Sequence, residues 1–288
     1  MVASITYNGW QDALRLSNGI VELVIVPSVG GRIMRYGFVG GPNVLWENKA
    51  VAGKPIKLGD WANTGGDKVW VWPQDDWPNR MPNAWPPPAA LDQAPHQADI
   101  LDTHTVRLTS GPVIGWGLRC LRTIQLAPKS AHITLTSALR KERDGAAFPM
   151  GAWAVTQVPT APQFWTRKGS GPLITHTRDP KNSTKAFYDA DMLASVQDEL
   201  LFSVRRLPAP DNAGLAYAPP TDQAQIYCNA DDPWFAQNGM TSYTELELTS
   251  PLKTLKRGET ITLVTHYQLD KINPKRPIEP QIQAIISV

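Results

Sequence analysis

Short segments of alternating apolar and polar residues, each followed by a turn signal, recur along most of this chain. The first breaks fall at Asn18-Gly19, Val29-Gly30-Gly31 and Gly40-Gly41-Pro42, and such residues favour the tight turns of hairpins. A period of two places successive side chains on opposite faces of a strand. Strands are predicted at residues 14–16, 21–27, 32–38, 44–46, 103–108, 118–126, 132–139, 150–158, 224–228, 242–248 and 260–269. The chain is therefore expected to be all-β, with antiparallel pairing between neighbouring strands.

Residues 189–201 form the only segment in which the spacing of apolar residues predicts a helix. A length of 288 residues is compatible with one large β domain or with two small ones. Strand patterning continues on both sides of the proline-rich segment 85–88, and no internal repeat or low-complexity linker is present. We therefore expect a single domain over residues 1–288.

Charge and cysteine content exclude several classes of protein. The net charge of +2 is well below the clustered basic excess of a nucleic-acid-binding protein. Cys120 and Cys228 are far apart in sequence, so they predict no zinc site, and whether they form a disulfide cannot be deduced from spacing. No apolar run approaches the length of a membrane span and no signal peptide is recognisable, which predicts a cytoplasmic protein. A chain from which a signal peptide had been removed would give the same pattern.

One segment, residues 61–80, is unusually rich in tryptophan and has no clear periodicity. Its tryptophans are Trp61, Trp70, Trp72 and Trp77, and they alternate with the polar residues Asn63, Lys68, Gln74, Asp75 and Arg80. Sugar rings stack their C–H faces on aromatic side chains, while their hydroxyl groups need closely placed donors and acceptors to replace water. The segment therefore predicts a sugar site in a long functional loop. In the alternative interpretation, Trp70 and Trp72 lie on one face of a short strand and pack into the core.

Several motifs are spread over residues 20–269. They are Val26-Pro-Ser-Val-Gly-Gly-Arg-Ile33, Asn43-Val-Leu-Trp46, Thr64-Gly-Gly-Asp-Lys-Val-Trp-Val-Trp-Pro-Gln74, Glu245-Leu-Glu-Leu-Thr-Ser-Pro-Leu252 and Leu255-Lys-Arg-Gly-Glu-Thr260. These motifs resemble the galactose-mutarotase-like, or aldose 1-epimerase-like, superfamily. Together they are most similar to a branch of the superfamily known as a domain of unknown function. The resemblance implies a supersandwich of large antiparallel sheets.

Glu245 and Glu247 are the carboxylates that the resemblance singles out. They are two residues apart on a predicted strand, so both side chains should face the same side of the sheet. If that side is the cleft, mutual repulsion would raise one of the two pKa values and leave an acid beside a base. By its motif position, Glu247 corresponds to the base that removes the proton of the anomeric hydroxyl. In the alternative interpretation both glutamates face solvent.

The acid that should accompany this base is missing. Mutarotases protonate the ring oxygen with a histidine, but the corresponding strand, residues 149–158, contains none. Trp153 or Gln157 occupies that place, and neither is a general acid near neutral pH. Lys68 is a candidate substitute donor, or an anchor for an acidic sugar or a phosphate, although a solvated lysine is the simpler expectation. His96 and His176 lie in predicted loops that could reach the cleft, although a structural role is the simpler expectation for each.

The sequence leaves three functions open. The first is a carbohydrate-binding protein with the substrate-binding residues Trp61, Asn63, Lys68, Trp70, Trp72, Gln74, Trp153 and Gln157. The second is an isomerase or glycan-processing enzyme in which Glu247 and Glu245 are catalytic. The third is a structural or interaction protein in which the tryptophans form core or interface. No metal site and no cofactor site is recognisable, and the partner is expected to be a mono- or oligosaccharide, with no nucleic acid and no membrane.

Overall fold

The computed structural model describes residues 1–57, 60–144 and 148–286, and these residues contain nineteen strands and three short α-helices. The strands are β1 (Val2–Tyr7), β2 (Trp10–Ser17), β3 (Val21–Val26), β4 (Arg32–Phe38), β5 (Asp67–Trp72), β6 (Gln97–Ile100), β7 (Thr105–Thr109), β8 (Leu118–Leu126), β9 (His132–Lys141), β10 (Pro149–Pro159), β11 (Gln163–Arg167), β12 (Ile174–Thr177), β13 (Thr184–Tyr188), β14 (Met192–Gln197), β15 (Leu200–Leu207), β16 (Ala224–Cys228), β17 (Tyr243–Thr249), β18 (Lys253–Thr254) and β19 (Thr260–Lys271). The helices are α1 (Ala89–Asp92), α2 (Pro233–Gln237) and α3 (Ile278–Ile286).

Two antiparallel sheets pack face to face. The first sheet has the order β1-β2-β3-β4-β5-β10-β17-β16-β13, and β18 adds to one end of β10. The second sheet has the order β12-β11-β14-β15-β19-β9-β8-β7-β6. Side chains from both sheets form the main hydrophobic core, which includes Leu23, Ile25, Leu135 and Phe202. The expected all-β fold with large antiparallel sheets is confirmed.

Most predicted strands are present, and several have the predicted bounds. Residues 44–46 are an exception, since Val44 and Trp46 are buried but lie outside any strand. The helix predicted at residues 189–201 was also wrong, because this region forms strands β14 and β15. Leu193 faces the main core, while Met192 and Ala194 face a second cluster beneath α3. Burial on both faces removes the alternation that would otherwise identify a strand.

Strand β5 lies within the tryptophan-rich segment that showed no clear periodicity, and it is central to the first sheet. Gly65 and Gly66 lead into it with φ values of +94° and +72°, which glycine adopts without strain. A Cβ atom at Gly65 would lie 2.3 Å from the carbonyl oxygen of Trp46. The glycine pair therefore lets the chain turn tightly past Trp46 and enter the strand.

Asp67, the first residue of β5, joins the two sheets. Its buried carboxylate forms an ion pair with Arg122 of β8 and accepts a hydrogen bond from the hydroxyl of Tyr267 in β19. The hydroxyl of Thr156 in β10 donates a further hydrogen bond of 2.9 Å to the same carboxylate. Since side chains alternate along a strand, fixing Asp67 toward the second sheet directs the next residue, Lys68, to the opposite face.

Within the parts of the chain that the structure describes, no helix is both long and apolar enough to cross a membrane.

Candidate functional site

The outer face of the first sheet brings together residues from five adjacent strands. Trp70 of β5 pairs with Trp153 of β10, and Gln157 of β10 pairs with Glu245 of β17. Glu245 in turn pairs with Tyr227 of β16. Directly paired residues project to the same face of a sheet, so these side chains meet although they are distant in sequence.

These side chains form a cleft with a volume of about 280 Å³. The residues that line it are Trp61, Asn63, Lys68, Trp70, Gln74, Trp85, Trp153, Gln157, Lys185, Tyr227, Tyr243 and Glu245. Its walls are therefore largely aromatic, and its floor contains amide, ammonium and carboxylate groups.

Buried Asp92, at the end of α1, fixes the aromatic wall. The indole N–H of Trp61 donates to one carboxylate oxygen at 2.9 Å, and the indole N–H of Trp70 donates to the other at 2.9 Å. Arg32, also fully buried, forms an ion pair with Asp92 at 2.6 Å. The ring of Trp85 lies edge-on to that of Trp61, with centroids 4.9 Å apart. One buried carboxylate therefore sets the orientation of two indole rings of the cleft.

Lys68 is the most unusual residue of the floor. Its side chain is only 1% exposed, and its Nζ lies 3.6 Å from Oε1 of Glu245 and 4.9 Å from the centroid of Trp70. Among the residues described, no group is placed to form a hydrogen bond with this Nζ. Burial lowers the pKa of Lys68 to about 8, although nearby Glu245 opposes the change. A solvated lysine was the simpler expectation, and it was wrong.

Gln157, beside Lys68 on the floor, is also incompletely bonded. Its Nε2 donates to Oε1 of Glu245 at 2.8 Å, while its buried Oε1 has no hydrogen-bond partner among the described residues. The floor thus presents a donor, the Lys68 ammonium, that has an ion pair with Glu245 but no hydrogen bond, and an acceptor, the Oε1 of Gln157, that has no hydrogen-bond partner among the described residues. Unpaired buried polar groups are costly, and a ligand rich in hydroxyl groups can satisfy both kinds.

The two glutamates lie at different depths. Glu245 lines the cleft, whereas Glu247 is fully buried behind Trp153 and Lys185. Oε2 of Glu247 accepts hydrogen bonds from the Nε1 of Trp153 at 2.7 Å and from the Nζ of Lys185 at 3.2 Å. Both side chains project to the same side of the sheet, as the spacing predicts.

Burial raises the pKa of Glu247 to about 7. Nearby Lys185 acts in the opposite direction, and the charge of Glu245 contributes a further increase. Repulsion between the two glutamates was the expected cause of a raised pKa, but it is secondary to the loss of hydration.

Most of the residues predicted from the sequence line the cleft, but Glu247 and Trp72 do not. Trp72 is buried in a core cluster, with its ring centroid 5.6 Å from that of Trp153, and it does not line the cleft. His96 is buried, where its Nε2 contacts the carbonyl oxygen of Ala90, and His176 lies in β12 of the second sheet. Neither histidine lines the cleft.

Sequence reasoning did not assign four lining residues, Trp85, Lys185, Tyr227 and Tyr243, or the supporting Asp92. Trp85 directly precedes the proline run at 86–88, and this position was a signal that could have identified it. Lys185 and Tyr227 had no local signal, because only strand pairing brings β13 and β16 to the cleft.

A metal site finds no support in residues 1–57, 60–144 and 148–286, where no group of three or more His, Cys, Asp or Glu side chains is placed to hold a metal ion. Cys120 and Cys228 are both buried and are not joined in a disulfide. The side chains that line the cleft can form hydrogen bonds, stack on flat apolar groups and transfer protons through lysine or glutamate.

Known proteins share this architecture. The chain is similar to a TPR-domain containing protein from Parabacteroides distasonis, with a TM-score of 0.62 and 16% identity over 92% of this chain and 50% of that one. It thus spans half the length of that protein. A galactose mutarotase-like protein from Lactobacillus casei is similar with a TM-score of 0.57 and 8% identity, over 90% of this chain and 100% of the other. A galactose mutarotase related enzyme from Lactobacillus acidophilus has a TM-score of 0.57 and 8% identity, over 92% and 99% of the two chains.

At these identities the similarity concerns the fold, which is the fold of galactose-mutarotase-like proteins. No curated protein matches this chain. Residues 11–186, more than half of the chain, match the family described as a domain of unknown function, DUF4380. The chain therefore belongs to the DUF4380 family and has a galactose-mutarotase-like fold.

Proposed function

We propose that this protein binds a carbohydrate in the tryptophan-lined cleft. The observation that supports the proposal best is the combination of fixed indole walls with a floor whose buried polar groups lack partners. Trp61 and Trp70 are held by Asp92, while the Nζ of Lys68 and the Oε1 of Gln157 have no hydrogen-bond partner among the described residues. Most buried polar groups in proteins have a hydrogen-bond partner, and the hydroxyl groups of a sugar would supply one to each of these two groups.

The dimensions and chemistry of the cleft suit a sugar ring. Small-molecule sites have volumes of about 300–1,000 Å³, and the cleft, at about 280 Å³, is just below the lower end of that range. The indole faces can stack on the axial C–H groups of a pyranose. Donors such as Lys68 and acceptors such as Gln157 can pair with its hydroxyl groups. Similarity to mutarotase-like proteins agrees with this proposal at the level of the superfamily.

Truncating a wall residue should abolish most of the binding. We expect Trp61→Ala to weaken the affinity for a bound saccharide at least tenfold, since the substitution removes a stacking surface while leaving the floor intact. Trp72→Phe is the matched control, because Trp72 is buried outside the cleft and the variant should bind within about twofold of the wild type. Calorimetric titration with a panel of neutral, acidic and phosphorylated sugars would measure both. Equal losses in the two variants would contradict the proposal.

A second candidate function is proton transfer at the anomeric carbon, and the raised pKa of Glu247 favours it. In this scheme the ammonium group of Lys68 protonates the ring oxygen, while Glu247 removes the proton of the anomeric hydroxyl. The bond between the anomeric carbon and the ring oxygen then breaks and gives the open-chain aldehyde. Rotation and closure on the other face exchange the two anomers, and both protons return. Lys185 would have to move aside, since Glu247 lies behind it.

The pH dependence of anomer exchange would test this candidate. Glu247 must be deprotonated to act as a base, so the rate should rise with pH through about 7, and Lys68 must be protonated, so the rate should fall above about 8. The expected result is a narrow maximum between these values, measured by NMR exchange spectroscopy on anomeric protons. Glu247→Gln should abolish catalysed exchange while leaving saccharide binding in place. If the wild-type protein binds a saccharide but does not accelerate anomer exchange, carbohydrate binding stands and proton transfer at the anomeric carbon is excluded.

A further inference from the structure

Two exposed tryptophans lie at or near the cleft, Trp85 in its lining and Trp234 outside it. Trp85 is 42% exposed and Trp234 is 44% exposed. Trp is one of the largest apolar side chains, and leaving it in water forgoes the gain from burial. Exposed apolar surface beside a cleft is typical of a surface that contacts a ligand or partner.

Both tryptophans connect to the cleft through aromatic contacts. The ring of Trp85 is 4.9 Å from that of Trp61, which lines the cleft. The ring of Trp234 is 5.3 Å from that of Phe235, and the ring of Phe235 is 6.1 Å from that of Tyr243, another lining residue. The exposed rings thus extend the aromatic surface of the cleft.

The element that presents Trp234 is fixed in place. The side chain of Asp232 accepts a hydrogen bond from the backbone N–H of Trp234 at 2.8 Å, capping α2. Phe235 packs against the buried Trp46 with ring centroids 6.1 Å apart. The Nε1 of Trp46 donates to the carbonyl oxygen of Thr241 at 2.9 Å, which ties down the segment after α2. A held, solvent-facing indole can stack on a ligand with little further loss of conformational entropy.

We propose that the cleft binds an oligosaccharide, whose central unit occupies the cleft and whose flanking units stack on Trp85 and Trp234. This inference rests on the proposed function and adds the length of the ligand to it. A monosaccharide bound in the cleft, which has a volume of about 280 Å³, would not contact Trp234, because Trp234 does not line the cleft. An extended chain of sugar rings covers all of these aromatic surfaces at once, and each stacked unit excludes water from a ring that is otherwise exposed.

The test is the dependence of affinity on chain length. The probes are glucose, mannose, galactose, xylose, N-acetylglucosamine and uronic acid, each as the monomer and as linear oligomers of two to six units. For at least one series, we expect the tetramer to bind the wild-type protein at least tenfold more tightly than the monomer. Trp234→Ala should remove most of this gain and leave the affinity for the monomer unchanged. Ile174→Ala, which truncates an exposed apolar residue of the second sheet, should leave both affinities unchanged.

The outcomes separate this inference from the proposed function. If monomers bind and their oligomers bind no more tightly, the oligosaccharide inference fails while sugar binding stands. If oligomers bind more tightly but Trp234→Ala retains the full gain, the assignment of Trp234 fails. If no monomer or oligomer binds, the proposed function and the inference fail together.

Discussion

Asp67→Asn is expected to lower the free energy of unfolding by about 3–5 kcal/mol, because it leaves the buried guanidinium of Arg122 without its counter-charge. The lost carboxylate also accepts hydrogen bonds from Tyr267 and Thr156, so the substitution disturbs contacts to both sheets. Urea denaturation should show a lower midpoint with an unchanged slope. A thermal midpoint lowered by roughly 10 °C would correspond to this loss.

Two control variants separate the ion pair from a general effect of removing a charge. Asp99→Asn removes the partner of Arg107 in a solvent-exposed pair with a distance of 2.9 Å, and the denaturation midpoint should hardly change. Asp67→Leu combined with Arg122→Met replaces both charges by apolar groups, and this double variant should recover much of the lost stability. The hydroxyls of Thr156 and Tyr267 would still pair with each other, at 2.7 Å. If the double variant is as unstable as Asp67→Asn, the loss of stability comes mainly from disturbed packing around β5 and not from the unpaired charge of Arg122.

The contacts of Asp67 could not be predicted from the sequence. Arg122 and Tyr267 are far from Asp67 in the chain, and only the packing of the two sheets brings them together. Strand β8 was predictable with its bounds, because buried residues alternate along it with residues that are partly or fully exposed. Strand β5 is buried on both faces, so its alternation is hidden. The same cause produced the wrong helix at residues 189–201.

The candidate site was predictable where it is local in sequence. Five of the residues that line the cleft lie in the segment from Trp61 to Gln74. The mixture of indole and polar side chains in this segment is visible in the sequence alone. The depth of each side chain was not predictable, since burial depends on neighbouring strands. This is why Trp72 was placed in the cleft, and why Glu247 was expected to face it when Trp153 and Lys185 cover it.

The two buried aspartates hold the cleft from opposite sides of β5. Asp67 faces the second sheet and fixes the start of the strand, which sets the position of Lys68 on the floor. Asp92 lies behind the aromatic wall and fixes it through Trp61 and Trp70. Both carboxylates form ion pairs with buried arginines, so the geometry of the cleft depends on residues that do not line it.

Asp92→Asn is therefore expected to weaken saccharide binding at least tenfold and to lower the free energy of unfolding by about 3–5 kcal/mol. Asn has one oxygen acceptor and an amide donor, and it would face the N–H groups of Trp61, Trp70 and Arg32. At least one indole must lose its hydrogen bond and with it a fixed orientation. Calorimetric titration and urea denaturation of the same protein preparation would measure the two effects.

A double variant distinguishes the positioning of the indoles from general destabilisation. In Asp92→Asn combined with Arg32→Met, no buried cation remains unpaired, so part of the stability should return. The indoles still lack their second carboxylate oxygen, so the affinity for the saccharide should remain low. Full recovery of binding with recovery of stability would mean that Asp92 acts only through the fold. Recovery of stability alone would show that Asp92 sets the orientation of the cleft wall formed by Trp61 and Trp70.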